Sequence, residues 1–285
     1  MSETIVDDQS ESERESQEYT GQSMKRVEDH DTLTGQVEYI HDITPPDCLH
    51  MALVRSPHAH AKIDTIHTED AKAHPECELV LTAADIEANY QPTPGRLGFS
   101  EWALANDRIR FAGEPVALVV ASDRYAAEDV ADLVTVDYKT LDPVPDVETA
   151  AEDDVLLHED EGTNLADTDE LVFGDVESTF EQADHVVEGS YSWGRISGVP
   201  LETAGTVAEY DSETDSFDIH CNLQLYTFNG ELVYESLGYP EEKVSLHVPE
   251  NIGGSYGTKI SAGARYCALA GMASHQLDRP VKYVE

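Results

Sequence analysis

A few polar and glycine-rich stretches of this chain could take part in chemistry. The most prominent is IGGSYGTK, residues 252–259. They lie between an expected strand and an expected helix. Glycines allow backbone amides to approach a ligand closely, and a helix N-terminus favours anionic groups. A phosphate-bearing ligand is therefore one interpretation, and an ordinary tight turn is the other. The stretch has neither P-loop spacing nor the GxGxxG pattern, so a nucleotide site of those kinds is not supported.

Two single polar residues are further candidates. Gln224, in CNLQLYTF, lies where a strand is expected to end and a helix to begin. Its amide can donate and accept hydrogen bonds at once, although taken alone it is an ordinary polar residue. Glu202, in PLET, lies between two expected strands. Its carboxylate could belong to a site, but a solvated turn residue is the interpretation we favour.

Metal ligands are not indicated. His58 and His60, in SPHAHAK, would face one side of a strand, but no third ligand lies nearby in the sequence. We expect them to serve packing or capping. The four cysteines form no CxxC pair, so neither a zinc site nor an iron–sulfur cluster is supported, and small buried side chains are expected. These cysteines are Cys48, Cys77, Cys221 and Cys267.

The elements that would position these residues fall into two regions of an α+β protein. Residues 24–139 mix strands and helices. Within them, residues 115–121, PVALVVA, have the continuous β-branched pattern of a strand covered on both faces. Ser122 or Asp123 can cap the helix that follows, and a strand returns at 133–138. Residues 140–170, with two prolines and many acids, are expected to be a linker.

Residues 171–285 form the second region, and residues 1–23 are expected to be a disordered acidic leader. The patterns in the second region predict a short helix after Asp175, a strand at 185–193, helices at 230–237 and 263–277, and strands at 243–248 and 280–284. Because the last strand reaches the end of the sequence, we expect an unfinished edge strand after Tyr283, as in a truncated chain or a split gene.

The charge is strongly acidic: 58 Asp and Glu stand against 17 Lys and Arg, a formal net charge of −41. Such a chain repels nucleic acid and anionic membrane surfaces. A carboxylate-rich surface that works in concentrated salt, as in halophiles, is the interpretation we favour, and an acidic protein from an ordinary environment is the alternative. No apolar run is long enough to span a membrane, so we expect a cytoplasmic protein.

Several motifs in order resemble the molybdopterin-binding large subunit of the molybdenum hydroxylases, the xanthine dehydrogenase and aldehyde oxidase family. RVEDHDTLTGQVEYIHDI, LVRSPHAHAKI, VLTAADI and GEPVALVVASDRYAAEDVADLVTVDY are similar to its N-terminal α/β hammerhead domain. VPLETAGTVAEYD, LQ, LGYPEEKVSLHVPENIGGSYGTK and RPVKYVE are similar to the start of its first molybdopterin-binding domain. PLET is most similar to the aerobic carbon monoxide dehydrogenase branch.

The resemblance implies a molybdopterin cytosine dinucleotide cofactor. It also implies electron transfer to an iron–sulfur subunit and a flavin subunit. Gln224 matches the glutamine that hydrogen-bonds the molybdenum oxo group. The loop that packs against the cofactor matches Gly253, Gly254, Ser255, Tyr256 and Gly257.

The sequence also departs from the family pattern. Ser255 replaces a glycine and Tyr256 a phenylalanine of the usual IGGGFG loop, and the residues that usually follow the glutamine differ after Gln224. A positive φ at Ser255 would cost about 1 kcal/mol, and its Cβ could crowd the cofactor. The family's substrate-side loop and its glutamate base would lie beyond residue 285.

These departures leave three functional hypotheses. The first is a cofactor-binding part of a molybdenum hydroxylase, inactive unless the rest of the large subunit is supplied as a separate chain. Its substrate, whether carbon monoxide, an aldehyde or a purine, is left open. The second is a degenerate, non-catalytic assembly protein. The third, a generic nucleotide-binding domain, is disfavoured by the loop spacing.

Overall fold

A computed structural model describes residues 21–86, 93–94, 99–194 and 196–285. The chain divides into two compact units, Met1–Val37 and Glu38–Glu285. In the described part of the first unit, one short helix, α1 (Asp29–Thr34), ends at Gly35 in the left-handed conformation. The expected disordered leader, residues 1–23, lies outside the described residues except for its last three.

The second unit mixes helices and strands, which confirms the α+β prediction. Its strands are β1 (Leu49–Arg55), β2 (Ala61–His67), β3 (Cys77–Thr82), β4 (Thr93–Pro94), β5 (Ser100–Glu101), β6 (Arg108–Ile109), β7 (Pro115–Ala121), β8 (Thr135–Thr140), β9 (Gly205–Asp211), β10 (Ser216–Cys221), β11 (Val244–His247) and β12 (Val281–Val284). Its helices are α2 (Glu69–Lys72), α3 (Ala83–Ile86), α4 (Arg124–Ala131), α5 (Val147–Ala151), α6 (Val176–Gln182), α7 (Tyr226–Leu237) and α8 (Ser261–Leu277).

Seven strands form one sheet in the order β11–β10–β9–β12–β1–β7–β3. β1 runs parallel to β12, with Leu49 opposite Val281, and antiparallel to β7. A three-stranded sheet has the order β6–β2–β8, and β4 pairs with β5. The large sheet thus combines strands from the two sequence regions, 24–139 and 171–285, whose boundaries stay a prediction.

The last strand is not an edge strand, so that expectation was wrong. β12 pairs with β9 on one side and with β1 on the other, and Leu49 donates its backbone N–H to Pro280 at 2.8 Å. The prediction failed because strand order depends on partners far away in the sequence, which a local pattern does not reveal. The edges of the sheet are β3 and β11.

The core lies on both faces of the large sheet. Every residue of β7 is buried, as the continuous apolar pattern predicted. Leu118 and Val120 join a large cluster that includes apolar residues of α7 and α8, whereas Ala117 and Val119 join a smaller cluster on the opposite side with Val130 of α4. Asp123 caps α4 by accepting the N–H of Ala126 at 2.9 Å. These packed layers hold the ends of β10 and α8 in place.

The linker region 140–170 lies against the body of the unit. It contains α5, and two arginines donate hydrogen bonds to its backbone: Arg108 to the carbonyl of Leu156 at 3.2 Å and Arg110 to that of Leu157 at 3.2 Å. Arg108 is 3% exposed, so this segment covers its guanidinium. The segment therefore has fixed contacts with the rest of the unit.

The strand expected at 185–193 is not formed. Within the described part of the chain, residues 184–194 make no backbone–backbone hydrogen bond. Alternating apolar residues favour an extended backbone, but a strand also needs a partner for its N–H and C=O groups. The helix after Asp175 is present as α6, capped by the Asp175 carboxylate.

Candidate active site

Gln224 lies where β10 gives way to α7, as predicted. The buried side chain of Asn222 fixes the segment between β10 and α7. Its oxygen accepts the N–H of Gly205 at 3.0 Å, and its NH₂ group donates to the carbonyl of Thr203 at 2.9 Å. Leu225 then takes a left-handed conformation, φ 54°, immediately before the helix. This turn directs the half-buried side chain of Gln224 away from the sheet and towards the glycine loop.

The glycine loop, residues 252–259, connects β11 to α8. Gly254, Tyr256 and Gly257 have positive φ values of 91°, 52° and 89°. Ser255 does not, so the expected strain at that position is absent. The strain falls on Tyr256, where a left-handed backbone costs roughly 1–2 kcal/mol.

The two stretches meet through the side chain of Gln224. Its Oε1 accepts the N–H of Gly257 at 3.0 Å and also the hydroxyl of Ser255. Its backbone N–H donates to the carbonyl of Lys259 at 3.0 Å. Because Oε1 must face these two donors, the NH₂ end of the Gln224 amide is directed elsewhere, and it donates no hydrogen bond within the described residues. Gln224 therefore presents a hydrogen-bond donor at the loop.

Ser255 fixes this orientation. Besides donating to Gln224, its hydroxyl accepts the N–H of Lys259 at 3.2 Å, and its carbonyl accepts the N–H of Thr258 at 3.0 Å. The serine that departs from the family's glycine is thus part of the hydrogen-bond network that shapes the loop.

Lys259 was not selected from the sequence, and Glu202 was considered but assigned to a solvated turn, yet both belong to the site. Lys259 is fully buried and its ammonium lies 3.0 Å from Oε2 of Glu202, whose side chain is 6% exposed. The same oxygen accepts the N–H of Gly253 at 2.7 Å. The expectation of a solvated turn residue at Glu202 was wrong, because a buried lysine 57 residues away pairs with it. The available signal was a lysine at the end of the glycine loop in a chain that has few basic residues.

Three consecutive backbone amides of the loop have no partner among the described residues. The N–H groups of Gly253 and Gly257 are used by Glu202 and Gln224, whereas those of Gly254, Ser255 and Tyr256 donate to no other described residue. Successive amides in a backbone that alternates in handedness form a concave donor surface for anionic or carbonyl oxygens. The arrangement fits a ligand rich in hydrogen-bond acceptors. The cofactor that the sequence resemblance implies is such a ligand, because it has a phosphate on the pterin and an oxo group on the molybdenum.

Two clefts in the described part of the chain lie away from the glycine loop. One, of about 420 Å³, borders β3, and the other, of about 180 Å³, borders β1 and β12. Neither cleft is lined by Gln224 or by residues 252–259. Gln224 and the glycine loop therefore meet outside both clefts. In the described part of the chain, no three His, Cys, Asp or Glu side chains are placed to hold a metal ion.

His58, His60 and the four cysteines make contacts typical of packing and not of a metal site. The His60 ring lies 2.7 Å from the carbonyl of Asp142, and the His58 ring packs edge-on against Tyr138. All four cysteines are free thiols. Burial is confirmed for Cys221 and Cys267, but the expectation was wrong for Cys48 and Cys77, which are partly exposed.

Replacing Gly253 by alanine is expected to destabilise the folded chain by about 1–3 kcal/mol. A Cβ at this position would lie 2.5 Å from Cβ of Glu202, so the loop or the buried ion pair must shift. Urea denaturation of the purified chain measures the loss. Gly194→Ala is the matched control, because a Cβ there meets nothing within 4 Å; equal stability of both variants with the parent chain would contradict the tight contact.

Known protein families match both regions of the chain. The aldehyde oxidase and xanthine dehydrogenase a/b hammerhead domain matches residues 34–142, and the molybdopterin cofactor-binding domain matches residues 157–285. Together they span most of the chain in the order that the motifs predicted. The chain therefore belongs to the family of molybdopterin-binding large subunits of the molybdenum hydroxylases.

Among individual relatives, the chain is similar to the carbon monoxide dehydrogenase large chain of Afipia carboxidovorans, with 35% identity over 298 residues, which covers 99% of this chain and 36% of the relative. It is also 35% identical over 272 residues to the nicotine 6-hydroxylase large subunit of Paenarthrobacter nicotinovorans, covering 93% and 33%. The solved structure of reconstituted CO dehydrogenase from Oligotropha carboxidovorans matches with a TM-score of 0.81 and 35% identity, covering 93% and 35%.

The chain thus spans about a third of the length of these relatives. Their names assign them to different substrates, so similarity alone does not select one. In the part of the chain that the structure describes, no helix is both long enough and apolar enough to cross a membrane.

Proposed function

We propose that the chain is the N-terminal portion of the molybdenum-cofactor-binding subunit of a carbon monoxide dehydrogenase-type oxidoreductase. The observation that carries this proposal is the orientation of Gln224. Ser255 and Gly257 occupy its oxygen, which leaves the NH₂ group as a donor beside the free amides of the loop. Donors placed together in this way suit a ligand that presents oxo and phosphate oxygens.

Gln224 and the loop residues Gly253, Gly254, Ser255, Tyr256 and Gly257 would hold the cofactor, for which we propose the cytosine dinucleotide form of molybdopterin. When bound, this cofactor supplies the oxidation of a substrate with an oxygen atom derived from water. The residues of this chain would bind and orient it: the Gln224 NH₂ donates to an oxygen, and the loop amides donate to neighbouring acceptors. An amide does not act as a general base, so Gln224 would orient the cofactor without taking up a proton.

Analysis of molybdenum and pterin in the complete protein, purified from cells that express it, tests this function. About one molybdenum and one pterin per chain is the expected result. Material that is fully assembled but free of both would contradict it and would favour the non-catalytic assembly protein. Oxidation of carbon monoxide by loaded protein, compared with oxidation of an aldehyde, a purine and nicotine, would select the substrate class.

The segment 171–201 provides an argument for a further polypeptide partner. Its large apolar side chains are more than half exposed, although most others in the second unit pack into the core. These residues are Leu171, Val172, Phe173, Val176, Phe180, Val186, Val187, Tyr191, Trp193, Ile196, Val199 and Leu201. An exposed apolar surface of this extent marks an interaction site. We propose that it packs against the polypeptide that corresponds to the rest of the relatives' length, either continuous with this chain or separate.

Within this segment, residues 185–193 are expected to add as a strand to that polypeptide, because their backbone pairs with no strand among the described residues. In the complete protein, hydrogen exchange of these amides should be much slower than in the isolated chain. Val187→Asp should keep the exchange fast, since it places a charge in the covered surface. Val147→Asp, at an exposed valine of α5, is the matched control. Equal exchange in the isolated chain and the complete protein would contradict the docking of this segment.

An iron–sulfur subunit and a flavin subunit are the further partners we propose, since the similar proteins are named as large chains or subunits. Four free thiols are in keeping with a reducing compartment, and we propose the cytoplasm.

The charge supports a protein adapted to concentrated salt. Raising KCl from about 0.1 M to about 1 M shortens the screening length from about 10 Å to about 3 Å and should weaken the self-repulsion of a chain with net charge −41. The midpoint of thermal unfolding is therefore expected to rise with KCl. Sucrose at equal osmolality is the control, because it screens no charge; an equal rise in sucrose, or no rise in KCl, would contradict the salt adaptation.

A further inference from the structure

The buried Glu202–Lys259 pair is an unusual feature of the loop, because neither side chain is exposed to water. The ammonium of Lys259 lies 3.0 Å from Oε2 of Glu202. Removing two charges from water costs several kcal/mol for each ion, and an apolar pair of similar volume is often as stable or more stable. Stability alone therefore gives a poor reason for this pair.

The contacts of the pair indicate a different role. Oε2 of Glu202 accepts the N–H of Gly253 at 2.7 Å, at the start of the glycine loop. The backbone of Lys259 lies at the other end of the loop, where its N–H donates to the hydroxyl of Ser255 and its carbonyl accepts the N–H of Gln224. One ion pair thus joins both ends of the loop and connects them to Gln224.

The position of the carboxylate is closely determined. A Cβ at Gly253 would lie 2.5 Å from Cβ of Glu202, so the loop backbone packs directly on this side chain. The other carboxylate oxygen, Oε1, is buried and has no partner among the described residues. The orientation of the carboxylate is therefore decided by the two donors on Oε2, the Lys259 ammonium and the Gly253 amide.

We infer that Glu202 and Lys259 are positioning residues for cofactor binding. Glu202 uses the Gly253 amide, so that the next three amides, from Gly254 to Tyr256, face the ligand. Lys259 supplies the counter-charge that allows a buried carboxylate to serve as this acceptor. This inference rests on the proposed function and adds two residues that act through the loop without touching the cofactor.

Two double variants separate this role from a merely structural one. Both remove the charges of the pair, so neither leaves an unpaired buried ion. Glu202→Gln with Lys259→Met keeps an amide oxygen that can accept from Gly253, whereas Glu202→Met with Lys259→Met removes the acceptor. Arg124→Gln with Glu128→Gln, which neutralises an exposed pair on α4, is the control.

Hydrogen exchange and molybdenum content are the two measurements that should distinguish these variants. Hydrogen exchange at the Gly253 amide, measured in the chain without cofactor, should be about tenfold faster only in the Met/Met variant, as for one lost hydrogen bond. Molybdenum content of the complete protein should fall about 10–100-fold in the same variant and stay near the parent value in the Gln/Met variant and the control.

Retention of Gly253 protection and molybdenum in a folded Met/Met variant would overturn the inference. If that variant does not fold, the Gln/Met variant still tests the inference. Fast exchange at Gly253 in its folded form would contradict the inference, because the retained acceptor would then have failed to hold the amide. Absence of molybdenum from the parent protein would instead contradict the proposed function. Hydrogen exchange at Gly253 would still test whether Glu202 holds the Gly253 amide.

Discussion

Lys259→Met is expected to destabilise the folded chain by about 3–5 kcal/mol. The substitution leaves the Glu202 carboxylate buried without its counter-charge, since the Gly253 amide would be its remaining partner among the described residues. The loop would also lose the contact that joins its two ends. The measurement is the free energy of unfolding from urea titration of the purified chain, compared with that of the parent chain.

Lys243→Met is the control for this substitution. Lys243 also pairs with a carboxylate, Asp215, but at 3.9 Å and with 37% of its side chain exposed. Exposed pairs contribute about 0–1 kcal/mol, so this variant should lose little stability. Similar losses in the two variants would show that burial of the Glu202–Lys259 pair does not determine its energetic role.

The elements that could be predicted from sequence are those whose signal is local. β7 is the clearest case, because a strand buried on both faces has a continuous apolar sequence, and PVALVVA is short and rich in β-branched valine. The helix after Asp123 begins where the cap was expected. Both depend only on neighbouring residues, which is why the pattern was sufficient.

The elements that could not be predicted depend on distant partners. Residues 185–193 alternate like a strand, yet no described strand pairs with them. β12 was expected at an edge, but it lies between β9 and β1, and β1 begins more than 200 residues earlier. A strand's place in a sheet is set by these long-range pairings, about which the local sequence carries no information.

The site divides in the same way. Gln224 and the glycine loop could be identified because they lie in recognisable motifs at the ends of elements. The Glu202–Lys259 pair could not, because a charged residue is assigned to the surface unless its partner is known. Only the fold brings PLET next to the loop, and only the contact distance of 3.0 Å shows that the two charges compensate each other.

Gln224→Glu is expected to lower the cofactor content or the activity of the complete protein by about 10–100-fold. A carboxylate of the same shape can still accept from the Ser255 hydroxyl and the Gly257 amide, so the loop should keep its structure. The second oxygen replaces the NH₂ donor and carries negative charge towards the acceptor oxygens of the ligand. An attractive contact thus becomes a repulsive one without a change in volume.

Gln276→Glu makes the same chemical change at an exposed position of α8 and should leave both quantities unchanged. The measurements are molybdenum per chain and, in loaded protein, the rate of carbon monoxide oxidation, with hydrogen exchange at Gly257 as the test that the loop is intact. A variant with slow exchange at Gly257 and parental molybdenum and activity would mean that the NH₂ group of Gln224 makes no contact with the ligand. A variant with fast exchange at Gly257 would place the defect in the loop, because the carboxylate would then have failed to replace the amide oxygen as acceptor.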